Sequence, residues 1–179
     1  MDQEELKEIL KRVAEGKREK DKKLDFLDFS GLDLSRAELS GVSAEKARFE
    51  GAKLNGANLS GANLDRACFR GSRLKGADLN WVEAPGADFT GADLKGSKLR
   101  NANLEGACLA GANLEKADLH GANIRGADFT EANLKKADTG ALEQAGGELE
   151  GARNIPDNWP GSLSHPALKA RRQKRRDEK

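Results

Sequence analysis

Apolar residues in this chain recur at every fifth position, a spacing that fits neither a helix stripe nor the alternation of an ordinary strand. The pattern is densest in GANLSGANLDRACFRGSRLKGADL, residues 56–79. Take the Leu of each five-residue unit, or its substitute, as the centre. Centres then run from Leu24 to Thr139, and 21 of the 24 are Leu, Phe or Ile. The exceptions are Ala44, Ala84 and Thr139. Two residues before each centre lies a second apolar site, held by Ala in 17 of 24 units and by Ser at Ser72 and Ser97. Residues two apart in extended backbone face the same way, so both sites point inward. One must be small, because a narrow interior cannot take two Leu-sized groups per unit. Two residues after the centre, Gly fills 14 of the 22 sites from Gly31 to Lys136, as a turn position with positive φ requires. Arg36, Lys46, Arg66, Trp81, Asn101, Lys116, Glu131 and Lys136 hold the other eight, from which turn types are expected to vary.

A chain that turns every five residues in one sense coils into a solenoid. The length of one coil follows from Phe, which takes centres Phe29, Phe49, Phe69, Phe89 and Phe129, with Leu109 filling the gap. That twenty-residue spacing predicts four units per coil and a structural Phe column on one side, each good ring pair adding ~0.5–1.5 kcal/mol. A second periodicity agrees. Ala44 and Ala84 are preceded by Val42 and Val82, the only Val at the minus-two site. Large and small have changed places, which conserves core volume.

Solenoid ends need covering. Leu6, Ile9, Leu10 and Val13 have the spacing of an amphipathic helix, so residues 1–21 are expected to form a capping helix and linker. The repeat body is assigned to 22–154, with a degenerate seventh coil around Leu149 and Ala152. Residues 155–179 are expected to form a lid around Ile155, Pro156, Trp159 and Pro160, followed by a basic, flexible tail ending KARRQKRRDEK.

Charge alters this picture only when sorted by side. The whole chain carries 31 basic and 30 acidic residues, a net +1, so no global field selects a partner. Sorted with a twenty-residue period from Leu24 to Thr139, one side carries Arg36, Lys53, Arg73, Lys75, Lys95, Lys116, Lys135 and Lys136 against Asp33, Asp93 and Glu115, a net +5. The other three sides come to −3, −2 and −2. The basic side is the candidate partner-binding face, and reversal of Lys75 and Lys95 is its expected test. Candidate chemistry is sparse. His120 and His165 are the only histidines, and no metal-ligand spacing recurs. Cys68 and Cys108 fall two coils apart, ~9.6 Å at the usual strand spacing, too far for a disulfide. The Asp and Asn residues before the centres are too regular for catalysis and are expected to hydrogen-bond along the coil stack. No apolar run approaches the ~18 residues of a membrane helix. The charged N-terminus lacks a signal-peptide core, so a cytoplasmic protein without cofactor is expected.

The A-[ND]-L-x-G motif in this register resembles the pentapeptide repeat family over Leu24 to about Asn154. That resemblance implies an all-β solenoid, a right-handed quadrilateral β-helix of about six to seven coils with four pentapeptides each. It also implies a non-enzymatic protein-interaction or scaffold module of unnamed partner. Some members resemble duplex DNA, bind gyrase and protect it from quinolones. This chain departs from them in its near-neutral body, in a C-terminus with too few apolar residues for a stable dimer helix, so that no dimer is expected from the sequence, and in its unbroken register, which leaves no inserted loop. Nonspecific nucleic-acid binding through the basic face and tail is the third alternative, unsupported by aromatic residues on that face.

Overall fold

The computed structural model describes residues 4–5, 7–9, 11 and 23–140. Residues 23–140 are joined by parallel single-residue bridges, each linking a residue to the one twenty positions on, from Lys23↔Ser43 to Asp118↔Asp138. The bridged residue is always the one before a centre. Twenty residues at five per unit make four sides, and the described residues complete close to six coils. In order around each coil, the sides are named after Leu64, after the Phe column, as basic, and after Leu59.

The interior is built from the two inward columns. Centres and minus-two residues from Ala44 to Phe129 are almost all 0–1% exposed. Phe29, Phe49, Phe69 and Phe89 form a continuous stack with centroids 5.0, 4.7 and 4.9 Å apart and rings within 7° of parallel. Phe129 is buried on the same side beyond Leu109. Stacking adds ~0.5–1.5 kcal/mol per pair, while burying the side chain itself contributes ~1.5–3 kcal/mol, so burial stabilises the column more than stacking does. Val42 with Ala44, and Val82 with Ala84, are buried as complementary pairs. Ser72 and Ser97 fit the Ala column because each hydroxyl donates to the carbonyl three residues back, of Phe69 and Leu94, at 2.8 Å.

Each unit has the same turn. The N–H three residues after a centre donates to the centre's carbonyl, as from Ala62 to Leu59 at 3.0 Å. The residue two after the centre has positive φ, the signature of a type II turn. Turn types therefore do not vary as expected. The eight non-Gly residues keep φ between 52° and 61°, beside 61–72° for the glycines, and Phe26 does the same at 62°. Backbone pairing to adjacent coils fixes this geometry, and the side chain must accept it.

The partners of the backbone amides explain the Asp/Asn preference. Centre and plus-two N–H groups donate to the following coil, and the residue before the centre donates to the preceding one, as Leu59, Gly61 and Asn58 show. The minus-two N–H closes the turn. The N–H directly after the centre has no backbone acceptor. In all 14 described units with Asp or Asn before the centre, Oδ1 of that residue accepts it, as Asn63 does from Asp65 at 3.1 Å. Where Ser43, Arg73 and Lys98 stand there, Asp25, Asn55 or Asn80 of the preceding coil substitutes. Where Glu83 stands there, the residue after the centre is Pro85, which has no N–H. The expectation of bonding along the stack is thus corrected: the principal bond lies within the unit. Only some amides also reach the adjacent coil, among them Asn113 to Asp93 and Asn133 to Asn113, both at 3.1 Å.

At the N-terminal end, Glu4, Glu5, Lys7, Glu8, Ile9 and Lys11 are helical, and Ile9 joins the core cluster at 6% exposure. Leu27 and Leu32, larger than the usual Ala, pack half-buried against that cluster. Leu6, Leu10, Val13, the degenerate seventh coil, the lid and the tail lie outside the described residues.

Candidate protein-interaction face

The interior, among the described residues, holds apolar side chains and the hydroxyls of Ser72, Ser97 and Thr139, so the charged groups are outward. Among the described residues no group of three His, Cys, Asp or Glu could hold a metal ion. Cys68 and Cys108 are free and half-buried. Burial pushes the Cys68 thiol up, and it donates to Glu50 at 3.2 Å, the opposite of an activated thiolate.

The coil brings all eight candidate cations to one side but divides them into two sets. Lys53 pairs with Asp33 at 3.6 Å, Lys75 with Asp93 at 3.2 Å, and Lys95 with Glu115 at 3.0 Å. Each pair joins adjacent coils and uses one of the three carboxylates on this side. The Lys95 ammonium, bonded to Glu115, holds that carboxyl below the usual glutamate range. The other five, Arg36, Arg73, Lys116, Lys135 and Lys136, are exposed and form no ion pair among the described residues. Lys116 and Lys136 occupy the same corner on adjoining coils, with Lys135 beside them, and the Lys116 N–H donates to the Lys135 carbonyl at 2.9 Å. The available positive charge is therefore concentrated at the C-terminal end of the face. Lys75 and Lys95, the expected test positions, are already neutralised, and reversing either would put like charges against each other on adjacent coils.

A second outward feature went unrecognised in the sequence. Among the described residues, Phe26 and Trp81 are the large hydrophobic residues exposed, at 67% and 66%. The Lys46 ammonium covers the Phe26 ring at 5.3 Å. Trp81 instead lines a trough of about 300 Å³ with Glu83, Asn101, Ala102, Asn103, Gly121 and Asn123. The available signal was an indole at a corner where Gly is the usual residue.

A family profile described as Pentapeptide repeats matches eight copies over residues 45–80, 72–109 and 97–135, together just over half of the chain. No curated protein matches. Among solved structures, a pentapeptide repeat protein of the Arabidopsis thaliana thylakoid lumen is 34% identical, covering 62% of this chain and 68% of that one, with a TM-score of 0.28. A pentapeptide repeat protein from Nostoc PCC 7120 is 31% identical, covering 66% and 84%, with a TM-score of 0.23. QnrB1, a plasmid-mediated fluoroquinolone resistance protein, is 21% identical over 84% and 93%, with a TM-score of 0.31. With the profile match resting on the same five-residue units that build the coils, the chain belongs to the pentapeptide repeat family.

Proposed function

We propose that this protein is a non-enzymatic interaction module whose basic face docks an acidic protein surface. The observation that supports it is the unequal pairing of that face: three of its cations are matched by its own carboxylates, and five exposed ones are not. Unmatched charge on a regular scaffold favours a partner of opposite sign, and steers its approach more than it tightens the complex. Association is therefore expected to slow as salt rises. In this reading residues 1–21 cap and lead into the first coil, 22–154 form the body, and 155–179 form a lid and basic tail. The burial of Ile9 in the core cluster supports the capping role. The protein needs no cofactor, and its free thiols accord with a cytoplasmic setting. Among the described residues no helix is long and apolar enough to cross a membrane.

The test is a quantitative pull-down from source-cell lysate with three baits: wild type, Lys116→Glu/Lys136→Glu, and Arg125→Glu on the opposite side. An acidic partner should fall about tenfold with the double variant and persist with Arg125→Glu. Equal recovery by all three baits would remove the basic face as the site.

A further inference from the structure

The Trp81 corner lies at the edge of the Leu64 side, opposite the basic side. Its column runs Gly41, Gly61, Trp81, Asn101, Gly121 through successive coils. Trp81 has φ 58°, a conformation in which a bulky L-residue is an outlier. An indole that stays 66% exposed gains little packing in return. Coil pairing imposes that φ at every corner, so what sets this corner apart is an exposed indole that, unlike the Phe26 ring under Lys46, has no cation over it among the described residues.

The surroundings specify the chemistry. Glu83 lines the trough beside Trp81 and makes no ion pair among the described residues. It is held in place, not neutralised: Asn103 Nδ2 donates to Glu83 Oε2 at 2.8 Å, and Asn123 Nδ2 donates to Asn103 Oδ1 at 3.2 Å. The other glutamates on this side are matched, Glu45 by Lys46 at 2.7 Å and Glu105 by Arg125 at 3.8 Å, and Asp65 lies 3.9 Å from Arg66. The trough thus presents an aromatic surface and an oriented, uncompensated carboxylate, with side-chain amides beside them. A guanidinium suits both, because it is planar, stacks on indole and forms directed hydrogen bonds to a carboxylate. A neutral sugar would use the indole and leave the charge unmatched. An anion would be repelled.

We infer that the Trp81–Glu83 trough is a docking site for an arginine side chain of a partner protein. It is separate from the basic face and lies across the coil from it, so the two sites stand or fall independently.

The test is a titration of the 15N-labelled full chain with N-acetylarginine amide, followed by NMR. The Trp81 indole N–H is distinguished from that of Trp159 by its loss in Trp81→Gly, a substitution that suits the corner φ and keeps the fold. The arginine amide should give saturable shifts of the Trp81 indole N–H and the Glu83 amide. Its neutral isostere N-acetylcitrulline amide should bind about fivefold more weakly, and Glu83→Gln should weaken the arginine probe by about the same factor. In Trp81→Gly the response of the Glu83 amide should be lost. Equal binding of the citrulline probe, an unchanged affinity in Glu83→Gln, or no shift at this corner would overturn the assignment. Cellotriose shifting Trp81 where the arginine probe does not would also overturn it and make the trough a saccharide site.

Discussion

The inward columns and the corner column obey different rules. Inward positions are selected by volume: a Leu-sized centre with an Ala-sized neighbour, or the reversed pair Val82 and Ala84, buried throughout except at Leu27, Leu32 and Ala37 near the N-terminal end. Corner positions are selected by φ alone, and Gly, Arg, Lys, Asn, Glu, Phe and Trp all adopt the same left-handed value. The interior therefore carries the stability, and the corners carry variation from unit to unit along this chain. This difference explains why bulk at a corner is tolerated and yet conspicuous.

The largest loss is expected inside. Phe69 lies between Phe49 and Phe89 in the stack. Phe69→Ala should cost about 3–5 kcal/mol in a denaturant titration, since flanking coils fixed by backbone pairing cannot collapse into the space. A loss under about 1 kcal/mol would mean that the interior is not close-packed. Next comes the amide rule. Asn63→Ala leaves the Asp65 N–H without its acceptor and should cost about 1 kcal/mol. Glu83→Ala should cost much less, because Pro85 has no N–H to satisfy. Equal losses would show that the side chain before the centre acts through something other than this bond. At the corner the sign should reverse: Trp81→Gly relieves ~1–2 kcal/mol of left-handed strain, partly offset by the greater unfolded-state freedom of Gly, and should stabilise by about 1 kcal/mol, read as a raised Tm. The smallest effect concerns Glu115, whose carboxyl is held below the usual range by Lys95. A carboxylate with a lowered folded pKa stabilises the fold above its unfolded pKa and loses that contribution as pH falls through the folded value. Lys95→Met should therefore lose less stability than wild type between neutral pH and about pH 3. Parallel loss in both would show that the pair contributes nothing.

Much of the body was legible because the inward residues repeat many times and volume is a property of the residue itself. The period, the coil length and the Val–Ala exchanges all follow from identities at fixed spacing. The corners were misread for a physical reason. Non-Gly residues suggested other turns, whereas the pairing of each coil with the next imposes one φ at every corner. The role of Asp and Asn was placed along the stack because spacing alone cannot say whether Oδ1 reaches the next coil or the N–H two residues on. The proline at position 85 was the available clue, since it stands where Glu replaces Asp or Asn. On the basic face, residue identity located the cations, but pairing depends on which coil each side chain reaches. Lys75 and Lys95 consequently looked as available as Lys116 and Lys136. Trp81 was counted as one more departure from Gly, its exposure being invisible in sequence.

The bridge from each residue to the one twenty positions on also constrains how such a chain can change length. Duplication of twenty residues adds a coil and leaves every downstream side chain on its original side. Deletion of a single five-residue unit also preserves the alternation of large and small, so the shortened chain still closes into coils. Everything after the deletion is then rotated by a quarter turn. Lys116, Lys135 and Lys136 would leave the side that carries Arg36 and Arg73 without any of them being mutated. A surface can in this way be dismantled or newly assembled by a silent change of phase, and lineages that keep one are confined to insertions and deletions of whole coils.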